Sequence, residues 1–351
     1  MRKVHIDNIV PGAKVAKAIF TPDGRILLTS GEELKKKYID KLRDNNITEL
    51  YIEDEISREI DGQDVICQET RTEATVLVKN LMNNYALANT TRIQETVNRI
   101  INDLLNNDDI LLILSDIKSV DDYTFEHSVN VCILSLIIGI GLGFNMDRLK
   151  ELGVGALLHD IGKLRIPEEI LKKPSQLTID EFEEIKKHTI YGYEILKKSG
   201  KIHMVSAFIA FGHHERYDGS GYPLQLKGDN IHQFARIVAV ADVYDALTSD
   251  RVYRKKLQPH EVIEYITSLG THHFDQRIVD TFVRFVTLYP VGTGVILNTK
   301  ARGLVVKVNK DMPTRPLVRI IYDEESKKLQ EYYEIDLSKK LNVFIENTWE
   351  I

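Results

Sequence analysis

Seven side chains stand out for the metal chemistry they can support. In chain order they are His127, the adjacent pair His159-Asp160, His188, the adjacent pair His213-His214, and Asp242. Imidazole and carboxylate are good ligands for iron, manganese, zinc and nickel. Thiolate is scarce: Cys67 and Cys132 are the two cysteines, too few for a disulfide framework or a thiolate zinc site. Neighbouring His159 and Asp160 can aim at one place. A carboxylate has two oxygens, so Asp160 can bridge two ions a few ångströms apart, as two-metal hydrolases require. Any one of these histidines alone is better read as a hydrogen-bonded core residue. The ordered set changes that reading, because Leu157-Leu158 lead into His159-Asp160 and Ala239-Val240-Ala241 lead into Asp242. A buried carboxylate is costly without a partner, and a cation is such a partner. His5, His203, His232 and His260 lie among polar residues, and His272-His273 precede a helix start with Asp275 near its cap, so these are left out of the set.

Side chains so far apart in sequence must be carried by several packed elements, and 351 residues suit about two domains. A hydrophobic fraction of 43% beside 28% charged residues fills a sizeable core and excludes a disordered chain. Residues 1–66 read as a small α/β module: apolar Val4, Ile6 and Ile9, a turn at Thr21-Pro22-Asp23-Gly24, a helix capped by Ser30 and running through Arg43, and a strand around Leu50-Tyr51-Ile52. Residues 67–116 read as a connecting helical segment, with Ile93, Val97, Ile100, Ile101 and Leu104 on one face. From 117 to 290 helix-length apolar segments dominate, among them Ser128–Gly143, Leu149–His159, Asp180–Lys198 and His232–Thr248. Residues 291–351 turn β-rich, with runs at Val295, Leu304-Val305-Val306, Leu317-Val318, Ile320-Ile321 and Val343-Phe344-Ile345. The expected fold class is therefore mainly α, with a helical bundle domain between a small α/β module and a small β appendage.

Charge and targeting signals narrow the function classes. Lys and Arg total 46 against 52 Asp and Glu, a net charge of −6, which disfavours a surface for a long nucleic acid. The start MRKVHIDNIV lacks a signal-peptide core. The most apolar stretch, Val131 to Phe144, falls short of the roughly 18–20 residues that span a bilayer. No membrane segment and a cytoplasmic location are expected.

The motifs carry a family resemblance. His159-Asp160-Ile161-Gly162-Lys163 is similar to the signature of the HD superfamily of metal-dependent phosphohydrolases. HHERYDGSGYP, His213 to Pro223, resembles the signature of the HD-GYP subfamily, and ADVYDALTSDRVYR, Ala241 to Arg254, resembles that subfamily's closing helix and loop. The likeness covers about Asp121 to Tyr289. It implies an all-helical HD-type bundle at 117–290, with His127, His159, Asp160 and Asp242 around one metal and Asp160, His188, His213 and His214 around the second. It implies iron or manganese as the ions. Some members use a glutamate four residues before the first histidine for a third ion; Tyr123 stands there, so two ions are expected rather than three.

The activity implied is hydrolysis of the bacterial second messenger cyclic di-GMP to linear pGpG, or on to GMP. A water bridging two cations has a lowered pKa and supplies hydroxide for in-line attack, and the cations neutralise the developing charge. Asp160 and Lys163 are the expected catalytic residues, Lys163 meeting a phosphate oxygen or the leaving group from the face of His159 if the helix continues. Arg251 and Arg254 present guanidinium forks that match phosphate. Gly221, Tyr222 and Pro223 form a loop whose ring can stack on guanine, and Asp245 can orient a ligand. The alternatives are a receptor or scaffold that binds a cyclic dinucleotide with little turnover, or a phosphohydrolase of another cyclic dinucleotide. A homodimer and a signalling-protein partner docked on the N-terminal module are the protein partners considered.

Overall fold

The protein was analysed as a computed structural model that describes all residues except 22–25, 46, 48, 59, 61–64, 85–89, 108–122, 174, 250–255, 271, 310–311 and 350–351; the side chains of 3, 83, 84, 123 and 124 are also outside the description. Two units emerge. The first combines Met1–Val65 with Val286–Ile351, and the second runs through Ile66–Ile110 and Thr124–Phe285.

The first unit opens with β1 (Arg2–His5), β2 (Lys14–Val15), β3 (Ile19–Phe20), β4 (Ile26–Leu28), α1 (Lys36–Asp44) and β5 (Glu49–Glu53). The helix begins later than the sequence indicates. Lys35 occupies its N-cap, and Ser30 instead donates to the carbonyl of Ala16. β1 and β2 flank β5 antiparallel, and Val4, Val15, Leu42, Leu50 and Ile52 fill the core beneath.

The second unit is all helical: α2 (Gln68–Asn84), α3 (Thr90–Leu105), α4 (Tyr123–Gly141), α5 (Met146–Leu157), α6 (Glu168–Leu171), α7 (Ile179–Lys186), α8 (His188–Ser199), α9 (Met204–Gly212), α10 (Gln233–Thr248), α11 (Pro259–Ser268) and α12 (Gln276–Phe285). The α3 stripe is as expected, with Ile93, Val97, Ile100, Ile101 and Leu104 all fully buried. On α4, Val129, Val131, Ile133, Leu134, Leu136, Ile137 and Ile138 are buried on every side, the mark of a central helix. No described helix is long and apolar enough to cross a membrane. The single helix expected over 180–198 is two, α7 and α8, broken at Lys187. A capping box, in which Thr178 and Glu181 satisfy each other's backbone N–H, starts α7.

The chain returns to the first unit with β6 (Gly294–Leu297), β7 (Arg302–Lys307), β8 (Leu317–Tyr322), β9 (Lys328–Asp336) and β10 (Ile345–Thr348), ordered β10-β6-β7-β8-β9 and antiparallel throughout. This sheet and the N-terminal module share packing: Ile60 is buried with Leu304 and Ile321, and Arg319 donates to the carbonyls of Ile56 and Arg58 at 3.3 and 2.7 Å.

Candidate metal centre

Five separate places in the helical unit supply the site. His127 rides on α4, His159 and Asp160 occupy the turn that follows α5, His188 opens α8, His213 caps the C-terminus of α9 with His214 next to it, and Asp242 lies on α10. After α5 the chain tightens into a 3-10 turn, Ile161–Arg165, instead of continuing as α-helix. Lys163 therefore does not share a helical face with His159; it folds back and pairs with Asp160 Oδ2. Gly162 makes this turn possible. A Cβ there would lie 1.9 Å from the carbonyl oxygen of His188 and 2.4 Å from the amide nitrogen of Gly192, so the turn and α8 pack backbone to backbone.

The described residues form three overlapping groups whose ligand atoms lie within 4.8 Å of one another: His188-His213-His214, His127-His159-Asp242 and His159-Asp160-His213. Asp160 joins them. Its Oδ1 faces His188 Nε2 at 3.5 Å and His213 Nε2 at 3.9 Å, while Oδ2 faces His159 Nε2 at 3.4 Å and His127 Nε2 at 3.9 Å. Asp242 Oδ1 is 3.1 Å from His127 Nε2, and its Oδ2 is 3.9 Å from His214 Nδ1. Ligands about 2.0–2.2 Å from a common ion stand at most about 4.4 Å apart, and the 3.1–3.9 Å separations around Asp160 and Asp242 fall inside that limit.

The backbone sets the ring orientation. His159 Nδ1 is 2.7 Å from Ala156 O, His188 Nδ1 is 2.6 Å from Ile185 O, and His213 Nδ1 is 3.1 Å from Ala210 O. A carbonyl only accepts, so Nδ1 carries the proton in each ring and Nε2 presents a lone pair inward. His188 Nε2 and His213 Nε2 consequently face each other at 3.4 Å, two lone pairs in a buried space. His159 Nε2 and Asp160 Oδ1 are buried with no hydrogen-bond partner. These are unfavourable arrangements for protein atoms alone, and a cation between them relieves both. The donor set fits the metal pair that the motifs imply.

Electrostatics point the same way. Burial keeps His213 well below the usual histidine range, His214 is brought down to about 3, chiefly by burial, and burial also lowers His188; all three are neutral, ligand-ready rings near pH 7. His127 differs. Burial opposes its charge, but hydrogen bonds to Asp242 and Asp245 outweigh it and lift the ring to about 10. Asp160 resists burial through Lys163 and His159 and stays ionised well below the ordinary carboxylate range.

Around the proposed ligands, Asp245 Oδ2 accepts from His127 Nδ1 at 2.7 Å, as a carboxylate that orients a ligating histidine does. Asn130 donates to the other oxygen, Asp245 Oδ1, at 2.9 Å. Tyr222 stacks on His214, with centroids 4.8 Å apart and planes 29° apart, so one face of the ring expected to meet guanine is already occupied by an imidazole. Beyond it stand Phe182, edge-on at 6.4 Å, and Lys186 Nζ, 5.7 Å from the ring centre. The Tyr222-Pro223 peptide is cis. A Cβ on Gly221 would lie 2.3 Å from the amide of Arg216, so the loop lies flat on the turn after His214. Arg251 and Arg254 lie outside the described residues.

Glu215 holds that loop and went unassigned in the sequence. It is buried, and its two oxygens accept from the amides of Leu224 at 2.7 Å and Leu226 at 2.9 Å. Its signal was a charged residue wedged between a ligand and a glycine-rich loop. Glu215→Ala is expected to leave both amides short of an acceptor and to lower stability by about 1–3 kcal/mol. Tyr222 loses its seat with it. A melting curve of the variant reads the effect.

Comparison with known proteins adds the following. The family described as HD domain matches residues 117–278, and the family described as KOW domain associated with HD domain matches 294–350. A cyclic di-GMP phosphodiesterase of Pseudomonas aeruginosa is 33% identical over 272 residues, which cover 78% of this chain and 65% of the relative. A cyclic di-GMP phosphodiesterase response regulator of Xanthomonas campestris pv. campestris is 44% identical over 144 residues, 41% of this chain and 38% of the relative. This chain thus spans less than two thirds of either. Among solved structures, an HDG"Y"P protein from Bdellovibrio bacteriovorus superposes with a TM-score of 0.55 at 17% identity, covering 80% of this chain and 97% of the other, a likeness of fold.

Proposed function

We propose, from the match of residues 117–278 to the family described as HD domain, that the protein is a metal-dependent phosphodiesterase that hydrolyses cyclic di-GMP to the linear dinucleotide. The observation that carries the reading is Asp160, one carboxylate whose two oxygens face two different sets of imidazoles. His127, His159, Asp160 and Asp242 would hold one ion and Asp160, His188, His213 and His214 the other, iron or manganese given nitrogen and oxygen ligands. When bound, such a pair makes water a nucleophile near neutral pH and neutralises charge growing on the phosphoryl oxygens.

The chain's own groups do the rest. Lys163, with its side chain 27% exposed, stands at the edge of the site, where its ammonium can meet a phosphate oxygen or supply a proton to the departing ribose oxygen. Tyr222, seated on His214, closes one side and keeps a neutral phenol, because burial raises its pKa. Arg251 and Arg254 are the proposed partners of a second phosphate. The names of the Pseudomonas and Xanthomonas relatives support cyclic di-GMP as the substrate.

The test is anaerobic. Metal-stripped protein reloaded with manganese or ferrous iron should linearise cyclic di-GMP, and the stripped form should not. Running cyclic GMP-AMP in parallel fixes the base preference. Folded, metal-loaded protein that binds cyclic di-GMP in a calorimeter without releasing product would overturn the proposal in favour of a receptor.

A further inference from the structure

We propose that Arg71, on α2 and outside the matched HD domain, is a positioning residue of the metal centre, acting through Asn130 and Asp245 on the ring of His127. This rests on the reading that His127 and Asp242 hold a cation. The chain of contacts is continuous. Arg71 Nη1 donates to Asn130 Oδ1 at 2.5 Å, Asn130 Nδ2 donates to Asp245 Oδ1 at 2.9 Å, and Asp245 Oδ2 accepts from His127 Nδ1 at 2.7 Å. Asn130, Asp245 and His127 are all buried, at 0, 1 and 4% exposure, so each bond forms in a low-dielectric interior where polarity must match.

The order of groups makes Arg71 decisive. An asparagine amide can be turned over, exchanging oxygen and nitrogen at little cost in shape. Guanidinium only donates and carboxylate only accepts. With Arg71 on one side and Asp245 on the other, a single orientation of Asn130 satisfies both. Once Asn130 engages Asp245 Oδ1, the carboxylate is held with Oδ2 toward His127. That contact keeps a proton on His127 Nδ1 and leaves Nε2, 3.1 Å from Asp242 Oδ1, as the nitrogen that would give up its proton to a cation. Without the guanidinium, Asn130 Oδ1 loses this donor and the relay is held less firmly from the α2 side. The effect is specific to one half of the site, because His188 and His213 are oriented by backbone carbonyls, those of Ile185 on α7 and Ala210 on α9.

Arg71 also changes what α2 is for. The segment reads as a connector, yet its first turns reach the coordination environment directly.

The test measures metal binding rather than turnover. Metal-free parent, Arg71→Met, Arg71→Lys, Asn130→Ala and the double variant Arg71→Met/Asn130→Ala are titrated with Mn²⁺ in a calorimeter, and the melting temperature of each metal-free form is recorded. Arg71→Met is expected to weaken one of two binding events by about tenfold, the lower end of what losing an outer partner of a ligand costs. Arg71→Lys should recover most of that loss. Adding Arg71→Met to Asn130→Ala should cost nothing further, because the relay is already cut. An Arg71→Met isotherm that overlays the parent would overturn the proposal, as would an undiminished effect in the Asn130→Ala background, or equal weakening of both events in step with a falling melting temperature. Should Arg71→Met fail to fold, Arg71→Gln takes its place in the same cycle. A parent that binds no Mn²⁺ removes the metal reading and this inference together. Two intact binding events without hydrolysis of cyclic di-GMP remove the phosphodiesterase reading and leave this one in place.

Discussion

Asp160→Asn should yield a folded protein that holds no metal pair and has lost turnover by far more than the ~10–100-fold that removal of an outer partner costs. The variant keeps the shape of the side chain and removes its charge. Each oxygen of Asp160 faces a different imidazole set, so one substitution damages both halves of the site. The amide nitrogen of asparagine also donates, and the inward Nε2 lone pairs of its neighbours accept. The variant thus gains internal hydrogen bonds where the parent has an orphaned carboxylate oxygen and an orphaned imidazole nitrogen. Its metal-free melting temperature should match or exceed that of the parent. The parent alone should respond to added metal: a ligand at a hundred times its Kd stabilises a native state by about 2.7 kcal/mol. Elemental analysis and paired melting curves with and without manganese check this. Two equivalents of metal retained in Asp160→Asn would refute the bridging role.

The second large effect is expected from a position with no functional group. Gly162→Ala puts a methyl within 1.9 Å of the His188 carbonyl oxygen, a distance no Cβ contact tolerates, and the obstacles are backbone atoms that cannot swing aside. The 3-10 turn must separate from α8. Overpacking typically costs about 1–3 kcal/mol, and here the strained joint lies between the turn that carries Asp160 and the helix that begins at His188. Even a modest separation pulls Asp160 Oδ1 away from His188 Nε2, now 3.5 Å apart. We expect loss of metal at the His188-His213-His214 side with activity falling at least 100-fold, an ~2.7 kcal/mol loss of transition-state stabilisation. Near-parental turnover with a lowered melting temperature would show that the joint serves stability alone.

How much of this was legible in the sequence depends on distance along the chain. The seven clustered side chains could be picked out because each sits in a dense local pattern, and the structure brings all seven together. The stripe on α3 and the burial of α4 followed from periodicity and apolar content. The break at Lys187 did not, because no glycine or proline marks it and the chain turns only to place His188. β9 escaped notice because KLQEYYEID is rich in charge and largely exposed, unlike a buried strand. Lys163 was misplaced by assuming that α5 continued. Asn130, three residues after His127, was within reach of helical reasoning. Arg71 was not, since its partner lies 59 residues further on and only packing joins them. Arg251 and Arg254 stay as the sequence left them.

The first unit is assembled from both ends of the chain, and that has a consequence in time. A ribosome delivers residues 1–65 before Val286–Ile351, with about 220 residues between them, or ~10–40 s of synthesis at ordinary elongation rates. During that interval the small β1-β5-β2 sheet can close on its own apolar residues, but Ile60 lacks Leu304 and Ile321, and the carbonyls of Ile56 and Arg58 lack the Arg319 guanidinium. The helical unit, by contrast, is contiguous apart from one short segment and can bring its histidines and aspartates together first. The nascent protein is thus expected to own its chemistry before it has finished the body that both ends share.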